Sequence, residues 1–255
     1  MELSPQIAAV VSGGASGLGA AVSRKLAENG VKVGIFDLNE EQGQAVSKEI
    51  GGIFARVDVS DIESVKQGFE TVRATHGQER LLVNCAGIAP GAKTLAKDGP
   101  HDPALFARTI GINLVGTFHC ASLAAAGMSE QDVLNDDGER GVIVNTASVA
   151  AFDGQMGQIA YSASKAGVVG MALPMARDLA RNGIRVMTIA PGLFMTPMME
   201  GFPQELQDAL SGKTPFPKRL GKPAEFADLV VHIAENTMLN GEVIRLDGAV
   251  RLEPR

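Results

Sequence analysis

Short runs of apolar, β-branched residues alternate along the chain with longer stretches whose apolar positions recur every three or four residues. Residues 7–12 (IAAVVS), 31–36 (VKVGIF), 53–57 (IFARV), 81–84 (LLVN), 142–146 (VIVNT), 184–189 (IRVMTI) and 242–246 (EVIRL) predict strands. Their near-continuous apolar character predicts a sheet covered on both faces, which is the parallel case. Segments 18–29, 62–75, 103–126 and 158–181 carry helical spacing. Strand and helix alternating in this way predict right-handed βαβ units and an α/β fold with a doubly wound parallel sheet. No Pro/Gly/Ser linker or break in composition interrupts residues 1–255, so a single domain is expected. Stretches 88–102 and 127–140 fit no element well, and 192–222 holds only a short helical stretch. Long loops in a compact domain are commonly functional or mobile. The last loop concentrates Phe194, Met195, Met198, Met199, Phe202 and Phe216. It reads equally as an adaptable apolar pocket, a lid or a subunit contact.

Composition narrows the partners. A formal net charge of −6 opposes broad nucleic-acid binding, which needs a basic face. No uninterrupted apolar run reaches about 18 residues, so no membrane partner is expected. The opening MELSPQIAAVVSGG has no basic region of a leader peptide, and a cytoplasmic location is the expectation. Cys85 and Cys120 make no disulfide framework, which agrees with a reducing compartment. No metal ligand set is expected.

The first strand runs into SGGASGLG, residues 12–19, with Gly13, Gly17 and Gly19 spaced G-x-x-x-G-x-G. Glycines after a strand and before a helix let the backbone approach a pyrophosphate seated on the helix N-terminus. Asp37 ends the second strand, 18 residues after Gly19, where a carboxylate accepts hydrogen bonds from an adenosine ribose. The same carboxylate repels a 2′-phosphate, so NAD is expected over NADP. A turn or N-cap aspartate is the competing reading of Asp37. Asp58 is suited either to an adenine amino group or to capping. Cys85, Ala86 and Gly87 of NCAG follow the fourth strand, at a carboxyl end where ligands bind in open α/β sheets.

Tyr161 is the chain's one tyrosine, Lys165 follows one helical turn later, and Ser148 precedes it by thirteen residues. Residues at i and i+4 share a helix face, so phenol and ammonium converge. Interconverting an alcohol and a ketone requires a group that exchanges a proton with the oxygen. A free phenol titrates near 10, and bringing it to about 7 takes roughly 4 kcal/mol. One cation at about 4 Å supplies that only at an effective dielectric near 20. Lys165 therefore suffices only in a partly desolvated cleft, and Ser148 is placed to donate to the same substrate oxygen.

With GGASGLG, NCAG, the Asn113 of GINLVGT, Ser148, YSASK and the PG of IAPGLF in hand, the chain resembles the short-chain dehydrogenase/reductases from residue 7 to its end. Ser12 stands where that family usually has threonine, and a hydroxyl remains. GERGVIVNTASVAAFDGQMGQIAYSASK, MALPMARDLARNGIRVMTIAPGLFMTP and NGEVIRLDGA most resemble the type-2 3-hydroxyacyl-CoA dehydrogenase group. The resemblance implies a Rossmann-like fold, NAD dependence, an acyl-CoA substrate and a homotetramer. It implies catalytic roles for Ser148, Tyr161 and Lys165, with Asn113 supporting Lys165 through a water. Asn113's own residue type in a helix reads otherwise as a locally bonded polar side chain. At the cofactor the resemblance places Ser16, Leu18, Asp37, Asp58, Val59, Cys85, Tyr161, Lys165, Phe194 and Thr196. The glycines, Ala86, Gly87, Pro191 and Gly192 are expected beside them. Gln155 and Gln158 are candidate substrate contacts or surface polar residues. Lys93 and Lys97 are candidate contacts for CoA phosphates or solvated lysines. A non-CoA secondary alcohol or steroid is the alternative substrate, and a non-catalytic NAD-binding scaffold the alternative class.

Overall fold

A computed structural model describes residues 1–200 and 203–254. Seven parallel strands form one sheet: β1 Ala8–Ser12, β2 Lys32–Asp37, β3 Ile53–Arg56, β4 Glu79–Asn84, β7 Gly141–Thr146, β8 Ile184–Pro191 and β9 Val243–Leu246. Their order is β3-β2-β1-β4-β7-β8-β9, so the chain winds outward in both directions from β1 and β4. The order reverses between those two strands, and a crevice opens at their carboxyl ends. The remaining strands, β5 Leu95–Ala96 and β6 Gly99–Pro100, make a small hairpin inside the stretch that the sequence left unassigned.

Burial on both faces explains the unbroken apolar strands. Val10 faces one layer while Ala9 and Val11 face the other; Leu82 is likewise opposed to Leu81 and Val83, and Ile143 to Val142 and Val144. One layer is built from α1 Gly17–Glu28 and α9 Pro223–Glu235, through Val22, Leu26, Phe226, Val230 and Ile233. The second comes from α3 Ile62–His76 and α5 Gly116–Ser129, through Val65, Phe69, Val72, Cys120, Ala124 and Met128. Helix α9 was not among the expected segments, although its buried Phe226, Ala227, Val230, Ile233 and Ala234 follow helical spacing. Helix α2, Glu40–Ile50, begins on Asn39, whose side chain accepts from the Gln42 amide.

Helix α4, Pro103–Ile110, continues through a π turn, Gly111–Val115, into α5. The continuous stretch Pro103–Ser129 is long and apolar enough to cross a membrane by length and composition. Its α5 part packs Cys120, Ala121, Ala124, Ala125 and Met128 into the core, while Phe106, Val115 and Phe118 are exposed. Helix α6 spans Ile159–Leu179. The stretch 192–222 contains two helices, α7 Pro197–Glu200 and α8 Gln204–Gly212, where one short helical stretch was expected. Phe202, one of that loop's apolar candidates, lies outside the described residues.

Candidate active site

The turn after β1 tolerates only glycine at two points. Gly13 has φ +68°, and a Cβ there would lie 2.7 Å from the Ala86 nitrogen. A Cβ on Gly19 would fall on the Gly13 carbonyl oxygen. Helix α1 therefore starts tight against the turn. Its N-cap, Ser16, makes no side-chain capping bond, and its first turn holds no acidic residue. The N-terminal amides and the positive end of the helix dipole are thus available to an anion.

Asp37 stands across this turn. Its carboxylate accepts from the Ala15 amide at 3.1 Å and from the Asn39 amide at 3.0 Å. Asn39 caps the helix, so Asp37 is not an N-cap; it steadies the glycine turn and faces the crevice. Asp58 accepts from the Ser60 amide at 2.9 Å and the Ser60 hydroxyl at 2.6 Å, while Asp61 caps α3. Ser12 donates to the Asn84 Oδ1 at 3.1 Å, tying the first and fourth strand ends together.

One cavity of 540 Å³ is lined by Gly13, Ser16, Gly17, Leu18, Gly19, Asp37, Asp58, Val59, Cys85, Ala86, Gly87, Pro191, Gly192, Phe194 and Thr196. Ser148, Tyr161 and Lys165 line the same cavity. It also draws in Met199 of the Met- and Phe-rich loop and Ile112 beside Asn113, together with Leu38 and Arg108, which belong to no motif. Arg108 is brought to the crevice from α4, 71 positions beyond Asp37 in sequence.

Lys165 is buried and donates its Nζ to the Thr146 carbonyl at 2.7 Å. Burial pulls its ammonium down to about 8. The nitrogen lies 5.9 Å from the centroid of the Tyr161 ring. Burial pushes the Tyr161 phenol upward, and a hydrogen bond with Ser148 opposes the rise. Desolvation is thus the larger influence on the phenol, and the lowering expected from Lys165 does not prevail in this cavity. Cys85 is pushed up to about 11 by burial and accepts from the Thr146 hydroxyl at 3.5 Å. Near neutral pH it is a thiol forming part of the wall, not a nucleophile.

Asn113 sits in the π turn, fully buried. Its Oδ1 accepts from the Ile88 amide at 2.8 Å, and its Nδ2 donates to the Ile88 carbonyl at 2.8 Å and to the Ser164 hydroxyl at 3.0 Å. The side chain is therefore not bonded locally within its helix. A Cβ on Gly87 would lie 3.1 Å from its Oδ1 and 3.5 Å from the Lys165 nitrogen, which puts Asn113 and Lys165 on one small space. The π turn supplies the rotation that points Asn113 inward, a recurrent use of such turns. No sequence signal marked Ser164, Ile88 or the Thr146 carbonyl as partners.

The glutamines are a correction. Gln155 and Gln158 do not line the cavity of Tyr161; they line a separate one of 420 Å³ with Lys93, Leu95, Met156 and Ser162. Both side chains are held elsewhere: the Gln155 amide donates to the Gln158 Oε1 at 2.9 Å, and the Gln155 side chain donates to the Glu253 carbonyl at 2.9 Å. Lys97 lies between β5 and β6, is exposed, and borders neither cavity.

The short chain dehydrogenase family model matches residues 7–207. The 3-hydroxyacyl-CoA dehydrogenase type-2 of Drosophila melanogaster is 52% identical over 249 residues, covering 96% of this chain and 97% of the relative. Its Homo sapiens counterpart is 49% identical over 252 residues, covering 97% and 96%. The crystal structure of 3-hydroxyacyl-CoA dehydrogenase type-2 from Mycobacterium avium superposes with a TM-score of 0.94 at 42% identity, covering 98% of each chain.

Proposed function

Since the chain belongs to the short-chain dehydrogenase family, we propose that its cavity interconverts a 3-hydroxyacyl-CoA and the 3-ketoacyl-CoA with NAD. The observation that carries this reading is the convergence of Ser148, Tyr161 and Lys165 in the cavity that also holds the glycine turn and Asp37. The names and coverage of the relatives support the thioester.

The residues present fit a dinucleotide. The cradle at Gly13 and Gly19 admits no Cβ, the amides from Ser16 to Gly19 suit a pyrophosphate, and Asp37 suits a ribose diol without a 2′-phosphate. When bound, the nicotinamide ring takes up or returns a hydride. The chain's own part is proton handling and orientation. Ser148 donates to the substrate oxygen and limits where it sits. Tyr161 exchanges the proton at that oxygen through its phenol. Lys165, anchored on the Thr146 carbonyl, supplies the positive field that makes the phenolate accessible. Asn113 holds the Ile88 backbone and Ser164 in place beside them. Val59, Cys85, Ala86 and Phe194 give the cavity apolar walls.

Lys93, in the separate cavity, suits a phosphate of the CoA moiety. A homotetramer accords with exposed Val115 and Phe118 on the outer face of the α4–α5 helix and Leu173 on α6. The test follows NADH formation from NAD with 3-hydroxybutyryl-CoA, free 3-hydroxybutyrate and a simple secondary alcohol. Preference for the thioester is expected. Tyr161→Phe is expected to abolish turnover while NADH still binds. Turnover of the simple alcohol alone removes the CoA assignment; retained turnover in Tyr161→Phe removes the mechanism.

A further inference from the structure

Two segments of the cavity wall, distant in sequence, meet on one side chain. Ser148 caps a single 3₁₀ turn, Val149–Ala151, by accepting from the Ala150 amide at 3.1 Å. Asp153 closes that turn, its amide donating to the Val149 carbonyl at 2.9 Å. On the other segment, the Gly192 amide donates to the Leu246 carbonyl at 2.9 Å. A Cβ on Gly192 would lie 2.8 Å from the Asp247 Cβ, so the two backbones are in direct contact.

Arg245, in β9, joins the segments. Its Nη2 donates to the Asp153 Oδ2 at 2.5 Å and to the Val250 carbonyl at 3.0 Å, and its Nε donates to the Asp247 Oδ2 at 2.7 Å. The guanidinium lies 5.2 Å from the centroid of the Phe152 ring. Side-chain exposure is 21% for Arg245, 19% for Asp153 and 8% for Asp247, so these bonds are largely shielded. A planar fork between two carboxylates sets both distance and direction, which a lysine does not.

We propose that Arg245 is a positioning residue: by bridging Asp153 and Asp247 it holds the Ser148 turn in register with the Gly192 wall and aims the Ser148 hydroxyl at Tyr161. This rests on the reading that Ser148 and Tyr161 act together in the cavity. The Ser148 bond is what opposes the upward push of burial on the phenol. Releasing the turn therefore raises the phenol's midpoint. The other ionisable side chains on this cavity are Lys165 on Tyr161's own helix, Cys85 after β4, Arg108 on α4, and Asp37 and Asp58 after β2 and β3. None of them bonds to Arg245, Asp153 or Asp247.

The chain offers a direct readout, because Tyr161 is its one tyrosine and it has no tryptophan. Near-ultraviolet tyrosinate absorbance reports that phenol alone and needs no substrate. Arg245→Met and Asp153→Asn are both expected to raise the Tyr161 midpoint, by about one pH unit for loss of one hydrogen bond to the charged form. The double variant is expected to go no further than Arg245→Met. A plain field effect predicts otherwise: losing the cation raises the midpoint and losing the anion lowers it. A lower midpoint in Asp153→Asn, additive shifts in the double variant, or no shift in either folded variant overturns the proposal. Asp153→Asn, a change of one oxygen on a partly exposed turn, carries the test if Arg245→Met fails to fold. On whichever alcohol the wild type oxidises, kcat is expected to fall about tenfold with the KM for cofactor held within about twofold. Failure of the thioester assignment leaves the titration readable, so the two failures are distinguishable.

Discussion

Replacing Lys165 with methionine is expected to push the titration of Tyr161 further above its ordinary value. The magnitude follows from the geometry. The ammonium stands 5.9 Å from the phenol ring. At an effective dielectric near 20, that separation gives an attraction of about 2.8 kcal/mol, or about two pKa units. Burial holds the phenol above its ordinary 10, while it brings the ammonium down to about 8. Removing the ammonium removes that attraction, so in Lys165→Met the phenol's midpoint, already raised by burial, should rise further by up to about two units relative to the cofactor-free wild type, with turnover lost. A wild-type titration superimposable on that of Lys165→Met would refute the coupling.

The same variant should be more stable than the wild type at pH 7. The folded chain releases the Lys165 proton near 8 and the unfolded chain near 10.5, a gap of order 3 kcal/mol against the folded state. That penalty is complete below pH 8 and fades as pH rises toward 10.5, so the gain in thermal midpoint should shrink over that interval. Equal midpoints at pH 7 would mean that the ammonium is better solvated than its burial implies. Asp37→Asn keeps an oxygen for the Ala15 amide but loses the charge, and should shift the NAD-to-NADP preference toward NADP by about tenfold or more. Equal losses for the two cofactors would count against a ribose contact. Gly19→Ala should weaken NADH binding more than tenfold, since its Cβ falls on the Gly13 carbonyl and the turn must open. Unchanged affinity, measured by fluorescence titration, would show that the turn relaxes freely.

Much of the fold was legible in the sequence because it follows from local periodicity. Alternate residues of one strand point to opposite faces, so strands such as 142–146 are apolar throughout only if both faces are covered. The glycine turn was legible because only glycine adopts φ +68° at Gly13 without strain. Tyr161 and Lys165 were legible because i and i+4 share a helix face wherever the helix lies. What escaped was set by packing between distant segments. No local pattern says that the Thr146 carbonyl receives Lys165, or that a π turn swings Asn113 toward Ile88. Gln155 and Gln158 fell into a separate cavity because a carbonyl near the far end of the chain captures one of them. Arg245 meets Asp153 across 92 positions, a pairing decided by strand order and not by spacing. Residue chemistry determined which groups are suited to the reaction. Tertiary structure decided which of them share a cavity, because desolvation and hydrogen-bond geometry act only once distant segments are packed together.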